Sequence, residues 1–139
     1  MSGVTGLDDL LASLEPALVE GRFVYASVPA AALAEHLSRG PIGPFREEEG
    51  ITLILPADAA EGLSASAPMR TITLTVHSSL EAVGLTAAFA TALTGQGISA
   101  NVVAGYYHDH IFVPERDAER ALETLRALSA AAREKGETP

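Results

Sequence analysis

The chain has 139 residues with no cysteine and no tryptophan, and 18 acidic against 9 basic residues give it a formal charge of −9. Such a length holds one ordinary domain or two very small ones, and the missing cysteines exclude a disulfide scaffold, thiolate chemistry and any cysteine-ligated metal centre. One lysine and eight scattered arginines in an acidic field make nucleic acid a poor partner.

Hydrophobic residues make up 47% and charged residues 19%, enough apolar material to bury a core. No apolar run approaches the ~20 residues of a membrane span. The first residues, MSGVTGLDDLL, carry Asp8 and Asp9 and no basic region, unlike a signal peptide. The expectation is a cytoplasmic protein with no membrane partner.

In chain order, Leu7, Leu10, Leu11, Leu14 and Leu18 recur at helical spacing and predict an amphipathic helix over 7–19, ended by Gly21. Arg22 to Val28 is β-branched and aromatic, hence a strand. Pro29 stops it and suits the first turn of a short helix over 30–38. Gly40 to Pro44 reads as loop. Phe45 to Glu49 and Ile51 to Leu55, split by Gly50, read as two short strands or one bent one. Residues 56–61 suit one or two helical turns, and GLSASAP over 62–68 is the best candidate linker.

The second half is plainer. In TITLTVH, residues 71–77, Ile72, Leu74 and Val76 alternate with three threonines and His77, the pattern of a half-buried strand. Leu85, Phe89 and Leu93 form a helical stripe ending near Gly95 and Gly97. Ile98 to Tyr106 and His110 to Val113 read as strands around a turn at Tyr107-His108-Asp109. Pro114 closes the second, and Ala118, Ala121, Leu122, Leu125 and Leu128 mark a last helix. The order β-α-β-β-α is thus written twice, more weakly from Arg22, which indicates a duplication.

The run GLTAAF over 84–89, Leu93, and GISANV over 97–102 resemble the core signature of the ACT-domain family. The longer run from His77 to Pro114 resembles small bacterial tandem-ACT proteins of no established function, and FREEEGITLILP, residues 45–56, resembles their degenerate companion unit. In place of the family's usual Asp or Asn before the glycine stands Ser78-Ser79-Leu80-Glu81-Ala82-Val83. The resemblance implies an α+β fold of two ferredoxin-like units packed side by side, divided as 1–67 and 68–139, the first degenerate. It also implies a small-molecule sensor, for an amino acid by family habit, with no catalytic domain and no cofactor. With no attached effector, output would pass through a homo-oligomer or a separate protein effector.

Ser78-x-x-Glu81 fits a capping box, whereas the resemblance starts the helix nearer Gly84 and leaves 78–83 as a ligand loop. Both versions put free N–H groups at a helix start, which favours a carboxylate. The candidate ligand-binding set is Ser78, Ser79, Leu80, Glu81, Ala82, Val83, Gly84 and Leu85, with Asn101 and Val102 on the strand such sensors turn toward their ligand. Asn101 can both donate and accept, though it equally suits a strand edge. A second constellation is His77, His108 and His110. Antiparallel pairing of the first and third strands of the unit brings them to one sheet end, where they would be the ligands of an alternative metal-dependent enzyme. A polar hairpin end is the plainer reading. The chain lacks a Gly-x-Ser-x-Gly elbow for a hydrolase triad. Arg46 to Glu49 reads as a charged hairpin tip. A structural adaptor is the third functional class. Uncovered strand edges and Phe112, expected on an exposed face, favour a homo-oligomer.

Overall fold

The computed structural model describes residues 6–76 and 83–137. The chain divides into two compact units, Glu20–Arg70 and Met1–Val19 with Thr71–Pro139.

In the unit of residues 20–70, β2 (Phe23–Val28) lies antiparallel to β4 (Gly50–Pro56), which also pairs with β3 (Gly43–Glu47). The register sets Val24 opposite Leu55, Ala26 opposite Leu53 and Val28 opposite Ile51. Directly opposed residues share a face, so these six side chains form one buried cluster, with Leu33, Ala57, Ala60 and Leu63 against it. The expected helix over 30–38 is a tighter run. A 3-10 turn, Ala30–Ala32, leads into α2 (Leu33–His36), and a second 3-10 turn, Leu37–Arg39, follows. Arg39 fixes it, donating through Nη to the carbonyls of Ala59 (2.7 Å) and Glu61 (2.9 Å) and through Nε to His36 Nδ1 (3.0 Å).

The segment read as a linker does more than connect. Ser66 donates its N–H to the Tyr25 carbonyl at 2.9 Å, and Tyr25 N–H donates to Ser66 Oγ at 2.9 Å. Ala65 bridges to Ala26, and Met69 pairs with Phe23. The free edge of β2 needs partners for its N–H and C=O groups, and this small, polar stretch supplies them.

The other unit contains α1 (Leu7–Ala12), β1 (Pro16–Leu18), the Thr71–Leu74 part of β5 (Met69–Leu74), α3 (Leu85–Gly95), β6 (Asn101–Ala104), β7 (Asp109–Pro114) and α4 (Ala118–Glu137). Its strands run in the order β1-β5-β7-β6. Ile72 and Leu74 of β5 and Ile111 and Val113 of β7 face a core filled by Leu85, Phe89 and Leu93 of α3 and Ala121, Leu122 and Leu125 of α4. Asp117 and Arg120 join at 3.0 Å, and Arg120 also donates to the Gln96 carbonyl at 2.9 Å, tying the start of α4 to the end of α3.

Two expectations are corrected here. The helix predicted over 7–19 ends at Ala12, and Pro16–Leu18 is a strand antiparallel to Leu74–Ile72. Proline disfavours the helical region for the residue before it, and Glu15 takes φ 42° instead. Leu10, Leu11 and Leu14 still enter the core, so the leucine spacing reports burial correctly and helix length wrongly. Phe112 is 2% exposed, so it gives no reason to expect an oligomer. β1 on β5 and residues 65–69 on β2 cover strand edges from within the chain.

Candidate functional site

α3 starts at Leu85 with Gly84 as its N-cap, the later of the two starts open in the sequence. Gly84 has φ 93° and ψ −15°, and its carbonyl accepts the first intrahelical bond, from Ala88 N–H at 2.9 Å. Glycine has no side chain with which to cap this end. The first N–H groups of a helix have no intrahelical partner, and its dipole concentrates positive potential there. Left-handed backbone is one reason for glycine. A second is space, since a Cβ would stand 3.3 Å from Leu7 Cδ2 of α1. Val83, just ahead, is 86% exposed. Ser78, Ser79, Leu80, Glu81 and Ala82, like His77, lie outside the described residues.

Asn101 and Val102 part company. β6 pairs Asn101 with Phe112, Val102 with Ile111 and Val103 with His110. Val102 therefore turns in against the core of its unit, while Asn101 is exposed on the opposite face, shared with Phe112 and His110. Leu85 is buried in the core. Of the candidate set, Gly84, Val83 and Asn101 are the described members with open surface or backbone to offer.

The hairpin between β6 and β7 turns slightly earlier than expected. Ala104 pairs with Asp109, and Gly105 N–H donates to the His108 carbonyl at 2.9 Å. A Cβ on Gly105 would lie 2.9 Å from that carbonyl and 3.2 Å from His110 Nε2, so the turn needs glycine. Tyr106 and Tyr107 stand out from its tip at 74% and 61% exposure, edge to face with centroids 4.9 Å apart. His110 Nδ1 shares a 3.0 Å hydrogen bond with Thr73 Oγ1 of β5. Thr73 was missed as a site residue. Its place on the polar face of the alternating strand is the signal that points to it.

Burial lowers the His110 pKa, the neighbouring His108 lowers it further, and Asp109 partly opposes both. Burial raises the Asp109 carboxyl, with His110 working against it. His108 Nδ1 is buried without a hydrogen-bond partner. Among the described residues no group of three or more His, Asp or Glu side chains is placed to hold a metal ion. The two described members of the trio, His108 and His110, are neighbours at the end of the β6–β7 hairpin. In the β3–β4 hairpin of the other unit, Glu47 accepts a hydrogen bond from Thr52 Oγ1.

The ACT-domain family profile matches residues 2–70 and a second ACT-domain profile matches residues 66–127. The chain is a tandem ACT-domain protein. It is 54% identical to a Vibrio cholerae protein of unknown function, described as a possible transport protein, with a TM-score of 0.82 over 92% of this chain and 99% of that one. At 12% identity it shares the fold of the regulatory subunit of aspartate kinase from Thermus thermophilus, with a TM-score of 0.66 over 84% of this chain and 97% of that one. Aspartate kinase from Clostridium acetobutylicum matches at 13% identity and a TM-score of 0.68, over 84% of this tandem-ACT chain and 34% of the kinase. No curated protein sequence matches. Among the described residues no helix is long and apolar enough to cross a membrane.

Proposed function

We propose that this tandem-ACT chain is a non-catalytic regulatory sensor that binds an amino acid. The site is the loop Ser78 to Gly84 at the start of α3, with Leu85 behind it and Asn101 and Val102 on β6. The modules it serves are residues 1–67 and 68–139. The observation that carries the reading is the α3 start: an ACT unit in which a left-handed glycine, with no side chain of its own to cap with, opens the helix directly after residues 78–83. The ligand carboxylate meets the free N–H groups, and Asn101, exposed on the face of β6 turned away from α3, provides a second polar contact from another copy of the chain in the homo-oligomer. The fold shared with aspartate kinase regulatory subunits supports a regulatory role. Output passes through a homo-oligomer or a separate protein effector.

A thermal-shift screen of the twenty amino acids tests it. A binder present at 100 times its dissociation constant adds ~2.7 kcal/mol. Asn101→Ala, at an exposed strand position, weakens that response while leaving the unliganded midpoint in place. A screen in which no amino acid stabilises the protein refutes the reading.

A further inference from the structure

A depression of about 400 Å³ lies on the unit built from α1, β1 and α4, lined by Glu15, Pro16, Arg126, Ser129, Ala130 and Arg133. Its volume falls at the small end of small-molecule sites. Two features set it apart. The chain carries a formal charge of −9, yet this hollow gathers two arginines against one carboxylate. The helical period puts Arg126 and Arg133, seven residues apart, on the same face of α4, roughly 10 Å apart along its axis. Ser129 and Ala130 between them are small and leave the floor open.

The charged groups are held without being used up. Arg133 donates through Nη1 to the Ala12 carbonyl (3.1 Å) and to Ser129 Oγ (2.9 Å), and its other nitrogens are left over. Ser129, buried at 2% exposure, itself donates to Ala12 O at 3.1 Å. Glu15 receives a bond on one carboxylate oxygen from Thr75 Oγ1 at 3.2 Å, and the same hydroxyl lies 3.0 Å from the Glu15 carbonyl. Arg126 has no hydrogen bond or ion pair among the described residues. The turn from α1 into β1 needs one residue with positive φ, and the chain places a glutamate there, at φ 42°, where glycine or asparagine costs less. That residue gives the hollow its carboxylate. Non-glycine residues held in this region cluster at ligand sites.

We propose that this hollow is a second ligand site, for a zwitterionic α-amino acid. Arg126 and the unused nitrogens of Arg133 receive the carboxylate, and the open oxygen of Glu15 receives the ammonium. A bidentate guanidinium fits a carboxylate better than a point charge does. The proposal does not depend on the α3 loop.

The test is an NMR titration of the ¹⁵N-labelled full chain with each of the twenty amino acids at 10 mM, and with acetate and methylammonium alone. The expected result is that at least one amino acid shifts the amides of Leu14, Glu15, Ser129 and Ala130. Arg126→Ala weakens that titration at least tenfold with an unchanged spectrum elsewhere. Glu15→Gln weakens the amino acid but leaves the acetate response unaltered. Shifts confined to the α3 start and β6 uphold the loop site and overturn this one. An absence of shifts at the hollow overturns it as well. Equal responses to acetate and to the amino acid overturn the role given to Glu15.

Discussion

Replacing Gly84 with alanine separates conformation from crowding at the start of α3. The backbone there has φ 93°, a region that costs an L-residue about 1–2 kcal/mol. The new methyl would stand 3.3 Å from Leu7 Cδ2. Leu7 is 38% exposed, so its tip can swing away at little cost. The conformational part therefore dominates, and the loss is ~1–2 kcal/mol. For a domain of this size that lowers the melting midpoint by roughly 3–8 °C. Urea or thermal unfolding of wild type, Gly84→Ala, Leu7→Ala and the double variant forms a cycle. A conformational cost leaves the coupling between the two sites near zero. If removing the Leu7 side chain restores the whole loss, or if Gly84→Ala costs less than ~0.3 kcal/mol, the argument from backbone geometry is wrong. Gly84→Val incurs the same backbone penalty with more bulk, so its effect on ligand binding is to be read only beside its stability.

Phe89 is fully buried among core side chains, so Phe89→Ala should cost ~3–5 kcal/mol in denaturant unfolding. The folded pKa of His110 lies below its unfolded value, so the folded state binds fewer protons as the pH falls through 6.5. The stabilisation is complete above the unfolded pKa and declines as acid protonates the unfolded chain first. Denaturation midpoints should fall from pH 7 to pH 5, with the His110 imidazole titrating below the ordinary range by NMR. His108→Gln should move that titration upward, because His108 is one of the causes holding it down. Arg39→Met removes the donors that hold the carbonyls of Ala59 and Glu61. Hydrogen exchange in residues 57–63 should speed up while β5 and β7 keep their protection.

The strands of the second half were legible because each has one face on a core. The alternation in TITLTVH names Ile72 and Leu74 as inward, and they are buried. The leucines of α3 and α4 were legible for the same reason. Pairings that depend on a distant partner were not. Pro16–Leu18 shows no alternation of its own over three residues, and only β5 makes it a strand. Residues 62–68 read as a linker because backbone groups at Ala65 and Ser66, more than side chains, attach them to β2. At the site, the need for glycine at position 84 was readable, though its causes, a positive φ and Leu7, were not. Val102 shared a motif with Asn101, and strand parity sends the two to opposite faces. Glu15 and the α4 arginines lie about 110 residues apart in the chain, so no local pattern links them.

Strand β1 also sets an order of events during synthesis. The unit of residues 20–70 is continuous, so it has all its parts as soon as its stretch has left the ribosome. The leucines of α1 are made earlier and must wait for α4. At translation rates of 5–20 residues per second, that wait is on the order of ten seconds. For that interval Leu10, Leu11 and Leu14 lack the α4 side of their native core and stay open to water. The N-terminal segment is therefore one apolar stretch that a chaperone can hold until the last helix is complete.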